Sequence, residues 1–124
     1  MQPFVIDPWS DVEQRYNELV TLHGIDFLTP MLWLTQSIVD QGAAKKLVAF
    51  TSMHELVITA APISSEPDWL RVSVGPLGTV RIAHRKSWAA TEGDVVIRPV
   101  DEILPLFWRF VIEKWGARPA RDLA

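Results

Sequence analysis

Val12, Tyr16, Leu19 and Val20 recur at the spacing of one helical face. Ser10 and Glu13 stand just before them at capping-box spacing, where a hydroxyl satisfies one orphan N–H and a carboxylate reaches back to another. Gly24 suits the left-handed turn that closes a helix. The pattern predicts a helix from Asp11 to His23. Thr29-Pro30 reads as an N-cap followed by proline in the first turn, opening a second helix from Pro30 to Gln41, which Gly42 closes. Met31, Leu34, Ile38 and Gln41 form its inner side. The β-branched Thr35, Ile38 and Val39 leave a strand as the competing assignment.

From Lys46 the period changes. Leu47–Thr51 and Glu55–Ala60 are short β-prone runs separated by Ser52, Met53 and His54, the pattern of a hairpin. Ile63 to Asp68, with Ser64, Ser65 and Pro67, reads as a loop. Trp69–Val74 then alternates, with Leu70, Val72 and Val74 on one face and Trp69, Arg71 and Ser73 on the other. After the turn Gly75-Pro76-Leu77-Gly78, Thr79–Arg85 alternates again, with Val80 and Ile82 facing the core. Ala90 to Asp94 reads as a further turn before a last strand, Val95–Arg98.

Asp101 stands where a cap would open a helix from Glu102 to Trp115, with Pro105 tolerated in the first turn. Ile103, Phe107 and Val111, with Leu104, Trp108 and Trp115, make a broad stripe on it. Leu106, Phe110 and Ile112 add apolar residues elsewhere round the helix. A surface helix has one apolar face. This one therefore requires burial on more than one side, by the sheet and another helix or by a partner. Gly116 and Pro119 end it, and Ala117 to Ala124 reads as a loose tail.

These elements predict an α+β fold: an antiparallel sheet of four to five strands, two N-terminal helices and one C-terminal helix. With 124 residues, no linker and no repeat, a single domain spanning residues 1–124 is expected. Hydrophobic residues at 48% and charged residues at 22% are those of globular material. With 0 Cys, disulfides and cysteine-held metals play no part, which fits a reducing, cytoplasmic setting. Met1 to Trp9 has no basic residue and no long apolar run, so no secretory signal is expected. No apolar stretch has the roughly 20 residues of a membrane span. The formal net charge of −3 opposes binding to nucleic acid.

Candidate chemistry is sparse. His23, His54 and His84 have no metal-ligand spacing, and His84, on the inward parity of its strand, reads as a structural histidine. No nucleophile elbow, Walker loop or dinucleotide fingerprint is present, and no motif requires a cofactor. The chain therefore reads as a non-enzyme. The suggestive residues are Trp69, Arg71, Arg81 and Arg85, which share the outward parity of the central hairpin. Cross-strand pairing would gather them into a basic patch with an aromatic edge, fit for a protein partner.

The last segment runs from Arg98-Pro99 through an acidic cap and an apolar helix with Phe110 to Gly116-Ala117-Arg118-Pro119. It resembles the end of some immunity proteins of bacterial polymorphic-toxin systems, where a similar helix is followed by G-x-R-P. The tryptophan expected soon after that proline is absent. The resemblance implies binding that neutralises a partner toxin, and it transfers no site residues. The expected function is thus a protein-interaction module, an immunity protein or inhibitor. A homo-oligomeric structural or accessory protein joined through its terminal helix is the alternative. A small ligand-binding domain or enzyme, with a site between sheet and helices, stands third.

Overall fold

The computed structural model describes residues 5–87 and 91–119. Helices α1 (Trp9–Thr21) and α2 (Thr29–Asp40) precede strands β1 (Leu47–Ser52), β2 (Glu55–Ala60), β3 (Trp69–Val74), β4 (Thr79–Arg85) and β5 (Glu92–Pro99), and α3 (Ile103–Trp115) follows. The strands lie in chain order, β1-β2-β3-β4-β5, and every neighbouring pair is antiparallel. The fold is α+β, as the patterning predicts. Among the described residues, no helix is long and apolar enough to cross a membrane.

The core forms where the apolar stripes of the helices meet one face of the sheet. Tyr16, Met31, Leu34, Ile38, Phe107 and Val111 close over Leu56, Ile58, Leu70, Val72, Val80 and Ile82 in one continuous cluster. Val74 packs at its margin. The hairpin of β3 and β4 pairs Val72 with Ile82 and Val74 with Val80, so the predicted inward set is the observed one. Helix α3 is buried on two sides: Phe107 and Val111 enter the cluster, while Trp108 donates its indole N–H to Ser37 Oγ of α2 at 3.1 Å.

Asp68 fastens the far end of α3. Its carboxylate accepts the Trp115 indole N–H at 2.9 Å and lies 2.8 Å from His84 Nε2, and its carbonyl accepts the Thr59 hydroxyl at 2.7 Å. His84 is thereby the structural histidine its parity implies.

Several helix ends differ from expectation. Helix α1 starts at Trp9 with Pro8 as N-cap and no side-chain cap, so Ser10 lies inside the first turn rather than before it. Trp9 donates its indole N–H to the Leu47 carbonyl at 2.9 Å, and this tertiary anchor sets the start in place of the capping box. Thr29 belongs to α2, which continues directly from a 3-10 turn at Asp26–Leu28, and its hydroxyl bonds back to the Asp26 carbonyl. Asp101 sits in a similar turn, Val100–Glu102, and caps nothing.

Glu92, Gly93 and Asp94 belong to β5 and not to a turn, because a register shift between Ala83 and Arg85 absorbs the irregularity. Gly116 adopts the left-handed conformation (φ 66°) that stops α3, and Ala117 behind it is buried, its N–H reaching the Val111 carbonyl. The tail is thus tied down at Ala117. Its remainder from 120 on, and Ala90, lie outside the described residues.

Candidate protein-binding face

The second face of the sheet carries the predicted site. Strand alternation and the observed register place Trp69, Arg71, Arg81 and Arg85 there together: Trp69 stands opposite Arg85, Arg71 opposite Ala83, and Ser73 opposite Arg81. Phe50 and Val57, a cross-strand pair of β1 and β2, share this face, and Val57 is also opposite Arg71. Phe50, Val57 and Trp69 form an apolar cluster separate from the main core. The Phe50 and Trp69 rings meet edge to face, 6.0 Å apart at 73°. Trp69 is only 2% exposed, so it is the floor of the face rather than its projecting edge.

Around that floor the charges are paired. Arg71 Nη1 donates to Glu55 Oε1 at 2.7 Å. Arg81 forms a bidentate bond with Glu92, Nη2 to Oε1 at 2.5 Å and Nη1 to Oε2 at 3.1 Å. The hydrogen bond from Arg81 holds the Glu92 carboxyl below the ordinary glutamate range, helped by the fields of Arg81, Arg85 and Arg71. The same bond raises Arg81, with Glu55 contributing through space. These charges therefore act as one coupled set. Arg85 and Glu92 join Val57, Trp69, Arg71 and Ala83 around a dimple of about 10 Å³, room for roughly one water. Farther out, Val95 and Ile97 of β5 are 41% and 54% exposed on this face.

The structure thus brings all four predicted residues onto one face, with two additions. Glu55 and Glu92 turn the expected basic patch into alternating charge, three arginines against two glutamates, and Phe50 and Val57 give Trp69 its neighbours. Strand alternation puts Glu55 on the same parity as Val57, which was a readable signal. Glu92 had none, because Gly93 and Asp94 beside it carry the composition of a turn. In comparisons with known proteins, no family model, no characterised protein and no solved structure matches this chain.

Proposed function

We propose that this protein is an interaction module that acts in the cytoplasm by binding another protein on the outer face of its sheet. Following the resemblance of its C-terminal segment, it is an immunity-type inhibitor whose partner is a toxin, and it works by occlusion rather than catalysis. One observation carries the reading. The described helices all pack on one side, and the other side of the sheet holds the aromatic cluster of Phe50 and Trp69 flanked by Arg71 and Arg81, each ion-paired with a glutamate.

Pre-ordered arginines lose less side-chain entropy on docking, and aromatic and arginine residues dominate the energetics of protein interfaces. Compensated arginines suit nucleic acid poorly, since counterion release depends on cations that neutralise phosphate. They suit a protein surface of alternating charge.

The test begins with capture of a partner from the native host. Calorimetry then compares the wild type with the double variant Arg81→Glu/Glu92→Arg. The swap keeps the internal ion pair while exchanging the positions of its charges. Binding weaker by about 1–3 kcal/mol with slower association is the expected result. Unchanged affinity in a folded variant would remove this face from the interaction.

A further inference from the structure

The edge strand β1 is closed by residues that lie outside the sheet, and its pairing with β2 shows which backbone groups they close. The Lys46 carbonyl accepts the Ala61 N–H, and Ser52 pairs with Glu55 across the two-residue turn. Alternation therefore turns the peptide groups of Val48, Phe50 and Ser52 toward β2 and those of Leu47, Ala49 and Thr51 away from the sheet.

A short strap, Asp7-Pro8-Trp9, engages each of these outward residues. The Trp9 indole N–H donates to the Leu47 carbonyl at 2.9 Å, and the Asp7 N–H donates to the Ala49 carbonyl at 2.9 Å. The Thr51 N–H donates to the Asp7 carboxylate at 3.1 Å. The backbone contributes an isolated bridge, Asp7 to Ala49, and the other two bonds come from side chains. Pro8 between them has no N–H and is extended, with φ −59° and ψ 144°. Side chains thus stand in for main-chain bonds that a further strand would make.

The strap is unevenly held. Trp9 packs against the main core and opens α1, whereas Asp7 is half-buried and Val5 before it is 82% exposed. Lifting Asp7 breaks the bonds to Ala49 and Thr51 and uncovers little apolar surface, which is the profile of a local opening. It bares an acceptor and a donor on either side of Phe50, the groups an added antiparallel strand engages. The far edge is defended within its own strand: Arg98 Nη1 donates to the Ile97 carbonyl at 3.0 Å, and Pro99 offers no N–H.

We infer that Asp7-Pro8-Trp9 is a releasable edge guard. Docked, it keeps β1 from pairing; lifted at Asp7, it lets β1 accept the β1 edge of a second copy of this chain. Edge pairing is made by backbone groups and needs no matched side chains, and two copies opened alike present identical edges about a two-fold axis. The inference is independent of the toxin-binding reading.

Native-state hydrogen exchange and sedimentation velocity on the full chain give the test. In the wild type, the Thr51 amide is expected to exchange through local opening, at a rate that low urea leaves unchanged, while the Phe50 amide follows global unfolding. Asp7→Ala speeds Thr51 exchange about tenfold or more, and Asp7→Asn, whose amide oxygen still accepts, recovers most of the protection. Trp9→Phe keeps an aromatic ring and removes the donor. The double variant Asp7→Ala/Trp9→Phe associates with rising concentration beyond the wild type, and its associated form regains protection at Thr51. Adding Thr51→Pro, tolerated on an edge strand, abolishes that association. Circular dichroism confirms that each variant is folded, and Asp7→Ala by itself carries the association test should the double variant not fold. Thr51 exchange that tracks global unfolding in the wild type would overturn the inference. So would a folded guard variant that associates no more than the wild type, or one that associates without protecting Thr51.

Discussion

Met53 and His54 show how a single distant side chain can fix a conformation that local sequence disfavours. Both have positive φ, 51° and 73°, in the two-residue connection between Ser52 and Glu55. Hairpin loops of this length favour asparagine and glycine there, because other residues meet steric cost in that region. The Tyr16 hydroxyl donates to the His54 carbonyl at 3.0 Å, holding the turn from 38 residues away. Burial pushes the Tyr16 phenol well above its usual range, so it remains a donor at any physiological pH. The Met53 side chain is 89% exposed, and His54 Nδ1 is buried without a hydrogen-bond partner among the described residues. The double variant Met53→Asn/His54→Gly is therefore expected to be more stable by about 1 kcal/mol, through relief of both strain and the buried polar atom. A higher urea midpoint at unchanged slope checks it, and a lower midpoint would show that the histidine ring stabilises more than its backbone costs. The break in strand pattern at Ser52 to His54 was legible in the sequence. The positive φ was not, since neither residue type signals it and the tether comes from another element.

At the scale of elements, legibility followed periodicity. Strands β3 and β4 alternate without interruption, and the sequence placed their bounds, their turn and both of their faces. Helix ends were read less well wherever a tertiary bond or a preceding 3-10 turn replaced a side-chain cap, as at Trp9 and Thr29. The start of β5 was missed because a bulge lets Gly93 and Asp94 remain in a strand, and that one error hid Glu92 from the candidate site. The excess apolar surface of α3, by contrast, was read correctly and has a measurable consequence. Phe107 is fully buried in the main cluster and meets the Trp108 ring edge to face, 5.4 Å apart at 76°. Phe107→Ala is expected to cost about 3–5 kcal/mol in chemical denaturation. A loss below about 1 kcal/mol would mean that the site collapses around the smaller side chain.

For the whole molecule, hydrophobic patterning revealed the layering but not the occupants of the surfaces it leaves open. The rule that apolar residues go inside assigns a helix-covered face to the sheet. Which charges pair on the other face, and which edge is covered, depend on register and on chain segments remote in sequence, such as Asp7 against β1. The meander has one more consequence, for the order in which the chain assembles. Each strand pairs with its neighbour in sequence, so the sheet closes through short loops at modest entropic cost. The bond from Trp108 to Ser37 instead spans 71 residues, and that from Trp115 to Asp68 spans 47. A sheet that grows by local steps is expected to be largely paired in the transition state, with α3 docking afterwards. Ser37→Ala removes the acceptor of the Trp108 N–H and should lower stability by about 1 kcal/mol. In stopped-flow experiments that loss should appear as faster unfolding with the refolding rate almost unchanged. Slower refolding of the same size would instead place the capture of α3 by α2 in the nucleus. On the first outcome, α3 is the latch of this domain: the rate at which it lifts sets how long the native state survives.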